Sequence, residues 1–253
     1  MDIIQVDLPE SLNRIELYPL ADIHLGDTLL KDKQFCDFIQ MILTEENRYI
    51  ICNGDLISNN LKNSIGSVYE DTIPPSQQKK EIRRMLEPAK DRILAMTSGN
   101  HERRSKKEAD QDITEDIAEW LGVPYREEAA LIKLSFGKKE NGKRQVYTIY
   151  ATHGWAGGRK PGNAINNIED LSKNVFADIY LVGHAHKRIA HRALYYLPDL
   201  YNNQVREIEQ LYVSSSAWLE YGGYASHKGM RPQVSGTSPI YLESKVKQAV
   251  ALV

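Results

Sequence analysis

The sequence predicts a single α/β domain, residues 1–253, built from two packed β-sheets with helices outside. Three observations carry this expectation. Short apolar runs alternate with amphipathic helical stretches in the first half. Strand-like segments joined by turn signals dominate the second half. Neither half contains an internal repeat or a low-complexity linker. The length is compatible with one unit, because single α/β domains often reach about 200–250 residues.

Residues 14–21 alternate polar with apolar side chains and then turn apolar, which suits a strand entering a core, provided that Pro19 lies at its end or edge. Residues 31–47 place Phe35, Phe38, Ile39, Ile42 and Leu43 at helical spacing on one face. Residues 48–53 form a short apolar run ending at Gly54-Asp55 and read as a buried strand. A charged amphipathic helix over 79–90 presents Ile82, Met85, Leu86 and Ala89 on one side. The next buried strand, 92–97, runs into Ser98-Gly99-Asn100-His101, and a helix over 110–121 stops at Gly122 and Pro124. Segments 129–136 and 144–152 read as a hairpin across Asn141-Gly142, a strong turn signal. A short buried strand at 178–182 leads into Gly183-His184. A second hairpin pairs 188–196 with 204–213 near Asn202-Asn203, and the tail supplies a last strand pair, 239–242 and 246–253.

Composition narrows the function class. With 42% hydrophobic residues and 26% charged ones, the chain is neither disordered nor fibrous and can bury a core without staples. Its 32 Lys+Arg nearly balance 34 Asp+Glu, so a net charge of −2 provides no global basic field for nucleic acid. Two cysteines, Cys36 and Cys52, are too few for a disulfide framework and read as small buried thiols in apolar stretches. Residues 1–7 lack the basic and apolar regions of a signal peptide, and no apolar run approaches the ~18–20 residues of a membrane span. A soluble cytoplasmic protein is expected, with no membrane partner.

Five of the seven histidines stand beside Asp, Asn or Gly just after a predicted strand. The groups are Asp22-Ile23-His24, Gly99-Asn100-His101-Glu102, Thr152-His153-Gly154 and Gly183-His184-Ala185-His186, and Gly54-Asp55 ends a strand in the same way. Each lies on a strand-to-loop edge, where α/β sheets bind ligands. Imidazole nitrogen with carboxylate oxygen is a donor set for Mn, Fe, Zn or Ni rather than for Mg or Ca. Five satisfied core histidines would not collect at four strand ends, with Asp55 at a fifth, so the cluster reads as a metal site.

The ordered set Asp22-x-His24, Gly54-Asp55, Gly99-Asn100-His101-Glu102, His153 and Gly183-His184-x-His186 resembles the calcineurin-like metallophosphoesterase family. The resemblance covers about two thirds of the chain, residues 22–186. It implies a four-layer α/β/β/α sandwich with two mixed sheets and a site for two divalent metal ions, Mn2+ foremost, with Fe, Ni2+ or Zn2+ as alternatives. Carried over, Asp22, His24 and His186 hold the first metal, Asn100, His153 and His184 the second, and Asp55 bridges them. His101 matches the family's catalytic histidine, which sits over the phosphate and does not bind metal. Two metals about 3.5–4 Å apart activate water and clamp the phosphoryl oxygens. A histidine beside the phosphate can give a proton to the leaving oxygen or a hydrogen bond to the equatorial ones, and removing such a donor should cost roughly 10²–10⁴ in rate.

Two departures from the family pattern carry information, the first on the catalytic histidine and the second on substrate. Many members carry an Asp three residues after the Gly-Asp motif to orient the catalytic histidine. Ser58 stands there, so the role passes to Asn59 or Glu102 or is absent. The Arg-Gly pair of the protein Ser/Thr phosphatases is also missing, which points to the diesterase and nuclease-like branches. Arg103 and Arg104, in a basic run ending at Lys107, are candidate contacts to a polyanionic substrate, with an ordinary solvated basic turn as the plain alternative. The loop 155–162 offers Trp155 for stacking and Arg159 or Lys160 for a distal phosphate. His191 and His227 have no motif around them and read as structural. The expected partner is a phosphoester, with DNA, RNA or a nucleotide foremost. The alternatives are a phosphomonoesterase of small molecules or phosphoproteins, and a non-catalytic scaffold of the same fold, which the complete ligand set argues against. Oligomeric state is not specified by the sequence.

Overall fold

The computed structural model describes residues 2–62, 64, 68–155, 161–227 and 229–253. In chain order its strands are β1 (Ile3–Asp7), β2 (Arg14–Leu20), β3 (Arg48–Asn53), β4 (Ile93–Thr97), β5 (Tyr125–Arg126) and β6 (Ala129–Phe136). These are followed by β7 (Gln145–Thr152), β8 (Ile179–Val182), β9 (Ile189–Asp199), β10 (Gln204–Ser214), β11 (Ile240–Glu243) and β12 (Ala249–Ala251). The helices are α1 (Asp32–Leu43), α2 (Pro75–Leu86), α3 (Glu102–Ala109), α4 (Ile113–Leu121), α5 (Pro161–Glu169) and α6 (Gly223–His227).

Two six-stranded mixed sheets result, in the orders β12-β11-β2-β3-β4-β5 and β1-β6-β7-β8-β10-β9. Ile15, Leu17, Ile51 and Ala95 of the first sheet meet Leu134, Ile149, Leu181 and Val213 of the second in the central core. On the outer face of the first sheet, Phe35 and Ile39 of α1, Ile82 of α2 and Ile117 of α4 cover Leu20, Ile50 and Met96. Ile168 of α5 covers Tyr180 and Tyr212 of the second. The layers are therefore α/β/β/α, as the family resemblance implied.

Local chemistry explains the element boundaries. Pro19 sits one residue from the end of β2, beyond Leu17, the last residue that pairs with β11. Pro75 opens α2, where its missing N–H is one of the helix's unpaired donors anyway, so the helix starts before residue 79. Past Leu86 the chain tightens into a 3-10 turn, Glu87–Arg92, around Pro88. The helix expected over 110–121 begins only at Ile113, because Asp110 adopts a left-handed conformation that caps α3. The basic run 103–107 is thus helical rather than a turn. Cys52 is buried as expected, whereas Cys36 lies on the exposed side of α1, between the inward-facing Phe35 and Phe38. Among the described residues, no helix is long and apolar enough to cross a membrane.

The parallel run β2-β3-β4 sends its three C-terminal ends to one side, and β7 and β8, also parallel, send theirs together in the other sheet. All five motif groups lie on these ends.

Candidate metal centre

The first loop, after β2, is tied to the second by main-chain bonds from Asp22 N–H to the Gly54 carbonyl and from His24 N–H to the Asp55 carbonyl, both 3.1 Å. The second and third touch through glycine. A Cβ on Gly54 would lie 2.3 Å from the Gly99 nitrogen, and one on Gly99 would lie 2.1 Å from an Asp55 carboxylate oxygen. Only glycine at both positions lets Asp55 and Asn100 approach.

Glu102 holds these loops in register. Its carboxylate, 1% exposed, accepts main-chain N–H bonds from Asp55 (2.9 Å), Leu56 (2.7 Å), Ile57 (3.1 Å) and Gly99 (3.0 Å). Burial and the neighbouring Asp55 push this carboxyl up to about 7.

The side chains converge in two groups. In one, Asp22, His24 and His186 bring donor atoms within 4.8 Å of one another; in the other, Asp55, His153 and His184 do the same. Asn100 joins the second group, its Oδ1 2.9 Å from His153 Nε2 and 2.8 Å from His184 Nδ1. Asp55 lies between the groups and shares a third cluster with His24 and His101. Asp22, His24, Asp55 and His153 form a buried floor, His184 and His186 are half-buried, and Asn100 stands exposed at the rim.

Electrostatics follow from this crowding. Burial alone would raise Asp55, yet His153 and His101 hold it well below the usual carboxylate range. Burial would lower His153, but Asp55, 3.1 Å from its Nε2, raises it to about 9. His186 is raised, Asp22 overcoming its burial, whereas His24 and His184 are lowered, chiefly by burial. The His153 Nδ1–H donates to the Asn53 carbonyl at 2.7 Å, which aims Nε2 into the cluster, the arrangement that orients a metal-ligating imidazole.

The backbone records the same constraint. Asp22, His24, Asp55, His184 and His186 all sit at φ between 50° and 61°. Left-handed conformation costs a non-glycine residue about 1–2 kcal/mol, and such strain gathers at functional sites. Nitrogen and carboxylate donors packed this closely, with one imidazole tautomer preset, fit divalent transition ions.

The calcineurin-like phosphoesterase sequence family matches residues 20–207, a span that holds every one of these side chains. The chain belongs to that family. No curated protein matches it. Among solved structures, a Vps29 single mutant from Entamoeba histolytica aligns with TM-score 0.46 and 13% identity, covering 94% of this chain and 100% of that one. The NAD nucleotidase of Haemophilus influenzae aligns with TM-score 0.45 and 9% identity over 95% of this chain and 50% of its own. The nuclease MPE of Pseudomonas putida gives TM-score 0.34 and 12% identity over 93% and 87%.

In this family member, His101 stands at the start of α3 with its ring against His24, centroids 4.5 Å apart. Its Nδ1–H donates to the Ser58 carbonyl at 2.6 Å, and Nε2 lies 3.8 Å from Asp55 Oδ2. Burial keeps this histidine low. The ring is thus oriented by a main-chain carbonyl, and neither the Asn59 nor the Glu102 side chain bonds it. Asn59 holds the His101 carbonyl instead, and Glu102 is spent on four N–H groups.

The arginines turn inward as well. Arg103 donates to the Ser98 carbonyl at 3.0 Å, and Arg104 to the Ser58 carbonyl at 3.1 Å and to Asn60 Oδ1 at 3.0 Å. Trp155, 53% exposed, lines a shallow apolar cleft with Gly154, Ala164, Ile168, Leu171 and Val182, next to His153 and His184 in the chain. Arg159 and Lys160 lie outside the described residues, and the loop expected through residue 162 gives way to α5 at Pro161. His191 pairs with Glu169 at 2.8 Å, and His227 ends α6.

Proposed function

We propose that this phosphoesterase is a dinuclear-metal-dependent phosphodiesterase acting on nucleic acid or nucleotide substrates in the cytoplasm, with residues 1–253 as one domain. The observation that carries the reading is the convergence of Asp22, His24 and His186 in one group and Asp55, His153 and His184 in another, with Asn100 beside the second. In this reading Asp22, His24 and His186 hold one metal, Asn100, His153 and His184 the other, and Asp55 bridges. Mn2+ is the first candidate, with Fe, Ni2+ or Zn2+ served by the same donors. When bound, the ions would supply a nucleophile from water at neutral pH and neutralise phosphoryl charge.

The protein's own groups do the rest. His101, outside the ligand set, keeps one proton at Nδ1 for the Ser58 carbonyl, so the proton it gives to the leaving oxygen would have to be carried at Nε2, against the burial that holds this histidine low. The exposed rim at Asn100 and the half-buried His184 and His186 leave the floor open to a bulky ester. Trp155 offers a ring face for a base. Arg103 and Arg104 point to main-chain carbonyls, so a backbone contact from them would use only their remaining donors. The missing Arg-Gly pair supports a diester over a phosphoprotein.

The test is a panel of bis-p-nitrophenyl phosphate, p-nitrophenyl phosphate and labelled single- and double-stranded DNA, with Mn2+. Diester hydrolysis is expected to exceed monoester hydrolysis; a monoester preference over every diester would reject the diesterase, and no hydrolysis at all would leave a binding scaffold. Asp55→Asn is expected to lose metal and activity together. His101→Ala is expected to keep both metals and lose about 10²–10⁴ in turnover; wild-type rates in that variant would remove the proton-donor role.

A further inference from the structure

His101 is held at three points, and two of them run through residues 58 and 59. Its N–H donates to Asp55 Oδ1 at 2.9 Å. Its carbonyl accepts from Asn59 Nδ2 at 2.6 Å, and its ring donates through Nδ1 to the Ser58 carbonyl at 2.6 Å. The peptide unit joining Ser58 to Asn59 is itself gripped at both ends. Its oxygen also accepts from Arg104 Nη1 at 3.1 Å, and its N–H donates to Oε1 of the buried Gln78 at 2.9 Å. Asn59 is fully buried, with its amide also bonded to Ser105 on α3. Its backbone sits at φ 42°, and this angle sets where the preceding Ser58 carbonyl points.

We propose that Asn59 is a positioning residue for His101, acting with Arg104 by fixing the Ser58 main-chain carbonyl that receives the imidazole Nδ1–H. This rests on the reading that His101 serves the leaving oxygen. A ring fixed only at Cβ swings about two bonds, and displacement of a catalytic group by about 1 Å can cost on the order of 10²-fold. Asn59 removes that freedom without touching substrate. Its side chain ties down the helix start that carries His101, while its backbone aims the acceptor for the ring. Left-handed backbone explains why the position suits Asn, which tolerates it better than other side chains.

The experiment uses the full chain and two substitutions, Asn59→Gly, which keeps the backbone permissive and removes the amide, and Asn59→Asp, which keeps the shape and removes the donor. Kinetics are compared on a dinucleotide, whose alkoxide leaves poorly, and on bis-p-nitrophenyl phosphate, whose phenoxide leaves well. Both variants are expected to lose about 10–100-fold in kcat on the dinucleotide with KM within about threefold, and distinctly less on the nitrophenyl ester. Metal content should be unchanged. In a His101→Ala background the same substitutions should add less than about threefold, since a residue acting through His101 has nothing left to act on.

A second readout needs no turnover. In the metal-free protein the His101 Nδ1–H should give a downfield, slowly exchanging proton resonance that is lost in Asn59→Gly. An unchanged resonance, or equal losses with and without His101, would overturn the proposal. If wild-type protein hydrolyses neither diester, the functional reading fails and the catalytic part falls with it, while the resonance still reports on the geometry. Should both Asn59 variants fail to fold, Arg104→Gln takes their place, with the same leaving-group-dependent loss expected and its absence decisive against the idea.

Discussion

As a proposed metal ligand, His153 would couple metal binding to pH through a single side chain. Without metal it forms an ion pair with Asp55, which overrides burial and raises it to about 9. A ligating imidazole must present a neutral lone pair, so metal uptake at His153 would displace that proton whenever the pH lies below about 9. The free state binds the extra proton, so apparent affinity should rise with pH up to about 9, roughly tenfold per unit for each proton displaced. Titration of Mn2+ into the protein at pH 6.5, 7.5 and 8.5, in buffers of differing ionisation enthalpy, reads both affinity and proton release. Affinity independent of pH would show that His153 is not a ligand. The residue scale also marks where sequence reasoning stopped. The letters at 22, 24, 55, 100, 101, 153, 184 and 186 were sufficient to nominate a site. The acceptor for the His101 ring was not visible, because it is a carbonyl of the main chain, and every residue has one.

At the scale of elements, the junction of α3 and α4 is the instructive case. Apolar periodicity over 110–121 predicts one helix, yet Asp110 turns left-handed at φ 54° and Asp112 begins a new one. Asp112 caps α4 by accepting the Glu115 N–H at 3.1 Å, and it also accepts from the Tyr125 hydroxyl at 2.8 Å and Lys106 Nζ at 3.1 Å. Asp112→Ala should therefore destabilise the protein by about 1–2 kcal/mol, the range for a lost N-cap. Burial alone would raise this carboxyl, but those three donors hold it below its ordinary 3.8. With a depressed folded value, its contribution is present above pH 3.8 and is lost as pH falls through the lower value. Urea unfolding at pH 7 and near pH 3 should show the gap between wild type and variant narrowing in acid; a gap that widened would remove Asp112 as the cap. Other boundaries were legible for stated reasons. Proline opens α2, and Gly142 turns the hairpin between β6 and β7 with its N–H on the Lys139 carbonyl.

For the whole molecule, what matters is which strands are neighbours. β11, close to the end of the chain, inserts beside β2, pairing Ile240 with Leu17 and Glu243 with Arg14. Ile240 is fully buried in the core between the sheets. Ile240→Ala should cost about 2–5 kcal/mol, the range for removing a core isoleucine. It should lower the urea midpoint with the slope unchanged, and a loss under 0.5 kcal/mol would mean that this strand contributes little to the central core. The other end was harder to foresee. β1 turns Ile4 and Val6 towards the core, but the exposed apolar Ile3 blurs that alternation in the sequence, and the parallel pairing with β6 joins residues more than a hundred apart.

Side-chain chemistry read along the chain was enough to place most strands, the two hairpins and the ordered His, Asp and Asn groups, because periodicity and turn residues act over a few neighbours. Three things came only from packing: the order of strands in the two sheets, the left-handed backbone of five candidate ligands, and the main-chain acceptor that orients His101. Each depends on where distant segments stop against one another. Gly54 against Gly99, and Glu102 on four N–H groups, decide the loop positions to within an ångström, and no local pattern encodes that contact.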